Sequence, residues 1–240
     1  MKTHLILGWA LVLVLCAGLS SVSAVPIGGN NTARDYLIRE NQLTRWCGGV
    51  YVRFRDRDVT ESGRFYPFVM ESRKIMAYVG VDPVRWLTVY ATAGDHRIEL
   101  NDSSDDRNFA FGGGVRFNLM DHDILDPTLF EDKIRLTAGC QYTVTDAEYA
   151  GEDITIGEFY ASLFVSVVND VVGNKFYHPD SVALYAGPIC SDLDSDELDE
   201  QENIGFAVGV EVFGSRNVSF DVGLEYIDST QGKAGLHVRF

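Results

Sequence analysis

Residues 133–144 read KIRLTAGCQYTV, and their polarity alternates along the whole stretch. One face of an extended chain would carry Ile134, Leu136, Ala138, Cys140, Tyr142 and Val144. The other face would carry Arg135, Thr137, Gly139, Gln141 and Thr143. Alternation with a period of two is typical of a β-strand whose two faces meet different surroundings.

The same alternation recurs along most of the chain after residue 47, for example in 203–213 and 218–226. We predict about ten strands, near 47–57, 73–82, 84–94, 108–118, 133–145, 154–168, 182–191, 203–213, 217–227 and 232–240. Polar loops are expected at 58–70, 95–107, 146–153 and 192–202. The connections 119–131 and 169–181 are long for the short turns at one end of a barrel, which leaves eight strands as the alternative.

Alternation alone does not say whether the apolar face points into a barrel or out of it. The polar face is rich in small residues, which suit a narrow lumen: Gly112, Gly114, Gly139, Gly205, Gly209, Gly223 and Gly235. The other face carries many large apolar side chains, which would form an aggregation-prone patch in water. We therefore predict an all-β fold, a closed antiparallel up-and-down transmembrane β-barrel with its apolar face outside.

The predicted inner face also carries charges of both signs: Arg53, Arg55, Arg116, Arg135, Arg239, Glu158, Glu211, Asp221 and Glu225. Enclosed charges must be paired, because each unpaired one costs several kcal/mol. The chain has 15 Arg but only 5 Lys, and the planar guanidinium suits enclosed ion pairs. We expect these groups to form an ion-pair network that largely fills the lumen. If the Glu158 side chain points inward, those of Ile154 and Ile156 point inward as well, unless a β-bulge shifts the register.

Three segments are expected along the chain. Residues 1–24 have the basic start, apolar run and small-residue cleavage site of a secretory signal peptide. Residues 25–46 are polar and irregular, and are expected to be a periplasmic tail or a plug. Residues 47–240 would form the barrel. A formal net charge of −15 argues against nucleic acid as a partner.

The last eight residues, KAGLHVRF, resemble the C-terminal assembly signal of bacterial outer-membrane barrels. Lys233, Gly235, Val238 and Phe240 occupy its polar, glycine, hydrophobic and terminal aromatic positions. The chain from about residue 47 resembles the small bacterial outer-membrane β-barrel domain families. That resemblance implies a place in the bacterial outer membrane, with lipopolysaccharide as a neighbour. It also implies transient contacts with periplasmic chaperones, the secretion translocon and the barrel-assembly machinery.

The most specific function that the sequence supports is a structural or surface-interaction barrel. A narrow, porin-like pore for small solutes is one alternative, and a surface hydrolase that cuts proteins or lipids at the rim is the other. Asp95 and His96 could serve a hydrolase, but neighbours in a strand point to opposite faces, so we expect no enzyme. The acidic segment of Asp192, Asp194 and Asp196 is a candidate for weak cation binding, although it lacks the full calcium-loop pattern. No cofactor and no structural metal are expected.

Overall fold

The computed structural model describes residues 46–61, 67–84, 86–100, 103–104, 108–125, 131–149, 152–170, 181–195, 198–200, 202–214 and 218–239. The predicted signal peptide, nearly all of the predicted tail and Phe240 lie outside these residues. The strands are β1 (Trp46–Glu61), β2 (Pro67–Val84), β3 (Leu87–Leu100), β4 (Ser103–Ser104), β5 (Asn108–Leu125), β6 (Glu131–Tyr149), β7 (Glu152–Asp170), β8 (Ser181–Asp194), β9 (Leu198–Glu200), β10 (Ile204–Phe213), β11 (Val218–Ile227) and β12 (Ser229–Arg239). No helix that is long and apolar enough to cross a membrane occurs among the described residues.

Ten long strands form a closed antiparallel barrel. Each long strand pairs with the long strand that follows it, and β12 pairs with β1 from Cys47↔Arg239 to Phe54↔Gly232. The two short strands pair near the ends of long ones: β4 pairs with Glu99 and Leu100 of β3, and β9 pairs with Val59–Glu61 of β1. The prediction of ten strands in an up-and-down barrel is therefore confirmed over the alternative of eight.

We call the end at which Cys47 and Arg239 meet the base, and the end at which β1 stops at Glu61 the rim. Most strands, though not β10 and β11, are longer than predicted, mainly towards the rim. Segments 58–70, 95–107 and 146–153 were predicted to be polar loops, yet most of their described residues belong to strands. For example, β1 pairs with β2 as far as Thr60↔Pro67. Those loop predictions are wrong because these segments still alternate, with charged residues on one face and apolar residues on the other.

The wall of the barrel is uneven in height. β6 and β7 have 19 residues each, whereas β10 and β11 have 10 and β12 has 11. β12 pairs with β1 only as far as Phe54. Above the short strands, β9 pairs with Val59–Glu61 of β1. A segment between β8 and β10 thus completes the wall where β12 does not reach.

Outside the barrel, the middle of the wall is apolar. On β11 the outward side chains are Val218, Phe220, Val222, Leu224 and Tyr226, each at least 37% exposed. The inward Ser219 and Glu225 on the same strand are 1% exposed. The predicted orientation, with the apolar face outside, is therefore confirmed. We call this outer apolar zone the belt.

Towards the rim, the polarity of both faces reverses. On β1 the outward Phe54 is followed by outward Asp56 and Asp58, while the inward Arg55 and Arg57 are followed by inward Val59. On β3, Arg97 and Glu99 point outward, and Ile98 is fully buried. The rim section is therefore polar outside and apolar inside, as in a protein surrounded by water. The belt ends at about the level of Phe54.

Tyrosine rings occupy the space that the inner glycines leave. A Cβ atom at Gly223 would lie 2.3 Å from the Tyr185 hydroxyl, and one at Gly114 would lie 2.5 Å from the Tyr90 hydroxyl. At a contact below 3.0 Å one of the two groups must shift, so a larger residue would displace the ring. Small residues on the inner face thus make room for aromatic side chains of neighbouring strands.

Candidate functional site: the lumen

The rim half of the lumen contains an ion-pair cluster around Glu158. Arg55 and Lys74 both donate hydrogen bonds to its carboxylate, and Arg57 lies 3.7 Å from it. The Ser191 hydroxyl donates to Glu158 at 3.0 Å and accepts hydrogen bonds from Arg55 at 2.9 Å and Arg57 at 2.7 Å. All five side chains are buried, as charged groups must be when they satisfy each other inside a protein.

A second carboxylate, Glu225, contacts the next group of cations, which lies closer to the base. Its oxygens lie 3.5 Å from Arg53, 3.5 Å from Arg55 and 3.2 Å from Lys233. The Tyr160 hydroxyl donates to Glu225 at 2.9 Å, and the Arg53 guanidinium stacks 4.2 Å above the Tyr160 ring. Because Arg55 contacts both Glu158 and Glu225, the two layers form one connected network.

Nearer the base, the polar side chains form separate contacts. His237 Nε2 lies 2.5 Å from Asp221, and the Tyr78 hydroxyl lies 2.8 Å from His237 Nδ1. These contacts fit an imidazole that accepts from Tyr78 and donates to Asp221. Ser219 donates to Glu211 at 2.8 Å. This region is a chain of hydrogen bonds between β2, β11 and β12, distinct from the upper network.

The structure brings together four members of the predicted lumen set, Arg53, Arg55, Glu158 and Glu225. The other members are distributed: Glu211 and Asp221 lie nearer the base, Arg116 lines a cavity, Arg135 is buried at 3% exposure, and the side chain of Arg239 lies outside the described part.

Sequence reasoning missed Arg57 and Lys74 in the lumen, and took Lys233 only as part of an assembly signal. The sequence contained the evidence for these three side chains, because each occupies a position that the alternation assigns to the inward face of its strand.

An apolar cluster covers the network at the rim. Its members are buried and come from six strands: Val59, Met70, Ile98, Ala147, Ile154, Ile156 and Leu198. Ile154 and Ile156 do point inward, and the β6–β7 register runs unbroken from Tyr149↔Glu152 to Asp132↔Asn169, so no bulge intervenes. Leu198 is supplied by β9, the segment that completes the wall.

Ser72 and His96 form an unforeseen pair below that cluster. Ser72 Oγ lies 2.7 Å from His96 Nε2, a spacing that a nucleophile and its base would need. However, His96 Nδ1 makes no hydrogen bond within the described chain, so no third group there orients the ring as a catalytic triad would require. The adjoining space is only about 10 Å³, the size of a single water site. This geometry suits a structural hydrogen bond.

A larger cavity of about 180 Å³ lies on the base side of the network. Arg53 and Lys233 line it together with Arg116, Glu211, Asp221 and His237. Aromatic side chains form much of the remaining wall, and these are Tyr51, Tyr90, Tyr160, Phe164 and Tyr185. The cavity is therefore both charged and aromatic.

The acidic segment lies elsewhere than expected. Asp192 and Asp194 belong to β8, where both are exposed on the outward face, and Asp196 lies outside the described residues. They do not form the start of a loop, because the strand continues to Asp194. Within the described ranges, no three His, Cys, Asp or Glu side chains are grouped as a metal site would require.

The C-terminal motif lies on β12, next to β1. Lys233 and Gly235 point inward, and Val238 pairs with Gly48 of β1 and Val218 of β11. Phe240 is outside the described residues. The described part of the motif thus belongs to the strand pair that closes the barrel.

Comparison with known proteins gives only remote similarities. No protein-family model matches the chain, and no curated protein does. Neisserial surface protein A is 13% identical with a TM-score of 0.39, over 82% of this chain and 98% of that one. An outer membrane channel from Pseudomonas putida F1 is 9% identical with a TM-score of 0.40, over 82% and 96%. The translocator domain of autotransporter NalP from Neisseria meningitidis is 10% identical with a TM-score of 0.40, over 84% and 90%.

Proposed function

We propose that this protein is an integral β-barrel of the bacterial outer membrane with a structural or surface-interaction role and a filled lumen. The observation that carries the proposal is the reversal of polarity along the barrel. Within the belt the outer surface is apolar and the inside is charged, whereas above the belt the order is inverted. The apolar outer surface of the belt suits contact with lipid acyl chains, and the polar outer surface of the rim suits contact with water. One barrel would therefore lie partly in the membrane and partly in water.

Aromatic residues at the edges of the belt support the membrane assignment. Trp86 stacks on Phe117 near the base, with ring centroids 6.1 Å apart, and Tyr226 is 59% exposed near the rim. Girdles of aromatic residues at both interfaces are a regular feature of membrane barrels. With both barrel ends of the chain at the base, the base would face the periplasm and the rim the cell exterior.

Two features support a filled lumen. The side chains of the network cross from β1 and β2 to β7 and β11, and the apolar cluster lies above them at the rim. Barrels of about eight strands are just wide enough for side chains to fill them, and ten strands enclose little more. The cavity of about 180 Å³ favours a narrow pore as the second candidate, because part of the lumen is open.

The rim would provide the interaction surface. Strands β1 to β3 project beyond the belt there and expose charged side chains such as Asp56, Asp58 and Arg97. The partners that fit such a barrel are lipopolysaccharide around the belt and the assembly machinery during insertion. Substitution of Phe240 by alanine tests the second partner: we expect secretion without insertion, and normal outer-membrane levels would contradict the assembly-signal assignment.

Planar-bilayer conductance of the purified barrel separates the filled barrel from the pore. We expect no stable conductance steps from the wild-type protein. A triple variant, Arg55→Ser, Lys74→Ser and Glu158→Ser, removes the crossing side chains and should introduce steps. Arg97→Ser with Glu99→Ser is the matched control, because that pair lies outside the barrel at 3.0 Å. Steps in the wild-type protein would overturn the filled lumen in favour of the pore.

A further inference from the structure

The lumen network has more positive than negative charge. Arg57 also lies 3.7 Å from Glu158. Without it, Arg53, Arg55, Lys74 and Lys233 share two carboxylates, Glu158 and Glu225, so four cations minus two anions leave a formal excess of +2. The side chains of all six are at most 16% exposed. Buried charge of one sign is unfavourable unless an opposite charge neutralises it. A bound anion beside the network would offset this excess.

The cavity lies against two of these cations. Arg53 and Lys233 contact Glu225 and also line the cavity, where Arg116 joins them. The Arg53 Nε atom is buried and makes no hydrogen bond within the described chain. The Tyr185 hydroxyl, which also lines the cavity, is likewise without a hydrogen-bond partner there. Two donors that face one cavity are available to an acceptor group.

The walls and the volume of the cavity limit the rest of the ligand. Lys233 Nζ lies 5.2 Å from the ring centres of both Phe164 and Tyr185, and Tyr160 completes an aromatic wall beside it. A cavity of about 150 Å³ in another protein binds benzene, and this cavity measures about 180 Å³. The space therefore accommodates one six-membered ring with a small charged substituent.

We propose that the lumen cavity binds a small aromatic carboxylate, of about the size of benzoate. The carboxylate faces Arg53 and Lys233, and the ring packs against Tyr160, Phe164 and Tyr185. Asp221 and its cross-strand partner Glu211 line the base side of the cavity, next to Lys233, and repel a carboxylate from that side. The inference goes beyond the proposed function, because a sealed barrel can hold a ligand without conducting it.

Equilibrium dialysis of radiolabelled benzoate against the folded barrel in detergent tests the proposal, with empty micelles as the blank. We expect saturable binding of one benzoate per barrel. Acetate carries the charge without the ring, and benzyl alcohol carries the ring without the charge; each should compete at least tenfold more weakly than unlabelled benzoate. Lys233→Met should weaken benzoate binding at least tenfold, and Lys233→Arg should retain it.

Arg97→Gln is the control variant, since Arg97 is exposed outside the barrel and should leave benzoate binding unchanged. Gel mobility without boiling verifies that each variant is folded. If Lys233→Met does not fold, the competition series on the wild-type protein decides. Binding no greater than that of empty micelles, equal competition by benzyl alcohol, or equal competition by acetate would each overturn the proposal.

Discussion

Arg55 and Glu158 form a hydrogen-bonded ion pair inside the barrel, although 103 residues separate them in the sequence. Arg55 belongs to β1 and Glu158 to β7, which are separated by four long strands of the wall on one side and by four on the other. The pair therefore spans the lumen. Glu158 also receives a hydrogen bond from Lys74, so one carboxylate joins three positions of the barrel wall.

Glu158→Gln should destabilise the folded barrel by about 3–5 kcal/mol, because Arg55 and Lys74 would lose their shared anion while remaining buried. Glu99→Gln is the matched control: Glu99 pairs with Arg97 at 3.0 Å, but its side chain is 41% exposed. Exposed pairs contribute about 0–1 kcal/mol. Urea unfolding of both variants in lipid vesicles measures the difference. Equal losses would mean that the Glu158 cluster is not enclosed.

Gly223→Ala should destabilise the barrel, because the new methyl group would lie 2.3 Å from the Tyr185 hydroxyl. Overpacking of this kind costs about 1–3 kcal/mol. Gly232→Ala is the control, since a Cβ atom at Gly232 meets nothing within 4 Å. Urea unfolding should separate the two variants, and an equal effect of both would show that the ring does not limit the space at Gly223.

Tyr185→Phe should recover part of the stability that Gly223→Ala loses. The substitution removes the oxygen nearest to the new methyl group, and that hydroxyl makes no hydrogen bond among the described residues. A double-mutant cycle measures the coupling, which we expect to be at least about 0.5 kcal/mol for residues in contact. Additive effects would indicate that another neighbour of Gly223 resists the methyl group.

The strand number and the inner face could be predicted because alternation is a local property of the sequence. Residues 133–144 contain their own strand signal, and the parity of Arg53 and Arg55 follows from that of their strand. The partners of Arg55 could not be predicted, because which strands face each other across the lumen depends on barrel closure and stagger. Nothing near Arg55 in the sequence indicates Glu158.

The rim section was missed for a different reason. Charged residues between 95 and 100 suggested a loop, yet Ile98 and Leu100 alternate with Arg97 and Glu99. A strand above the belt carries its charges outward and its apolar residues inward, which is the reverse of the pattern inside the belt. If apolar residues are assumed to face outward along the whole strand, the reversal is mistaken for the end of the strand. A test that accepts alternation with the apolar residues on either face would have extended β3 to Leu100.

The folded barrel should migrate faster than the unfolded chain in gel electrophoresis when the sample is not boiled. A closed barrel keeps its backbone hydrogen bonds internal, so detergent alone unfolds it slowly. Boiling should shift the band to the mobility expected for the mature chain. Identical mobility with and without boiling, together with recovery in the aqueous fraction, would contradict a membrane barrel.

The cysteines of the described strands should form no disulfide. Cys140 and Cys190 lie on the outward faces of β6 and β8, whereas Cys47 is buried inside at the base. Opposite faces of the wall prevent Cys47 from reaching either of the others, since a disulfide needs Cα atoms within about 7 Å and converging Cβ atoms. Cys140 and Cys190 both pair with Ala161 of β7, so one strand lies between them and their Cα atoms are about 10 Å apart. A charged maleimide should label none of them in vesicles. After denaturation without reductant it should label all three, and a count of one would contradict the strand directions.

Asp228 should limit stability at neutral pH. It lies in the rim turn between β11 and β12, with a left-handed φ of 59°. Burial and the nearby Glu202 and Asp58 raise its pKa above its usual value of 3.8. The folded state therefore binds the proton more tightly than the unfolded state, so stability falls as the pH rises through the interval above 3.8 and stays lower at neutral pH.

Asp228→Asn should remove that pH-dependent loss while keeping the turn, because asparagine tolerates the left-handed region. We expect a gain of less than about 1 kcal/mol at pH 7, since water screens these exposed carboxylates. At pH 3 the variant and the wild-type protein should be nearly equal in stability, because Asp228 is then protonated in both states. Asp228→Val is the contrasting variant, and it should destabilise at every pH because a β-branched residue is strained at positive φ. Urea unfolding at pH 3 and pH 7 measures all three proteins. A gain for Asp228→Asn at pH 3 as large as at pH 7 would show that the carboxylate charge is not the cause.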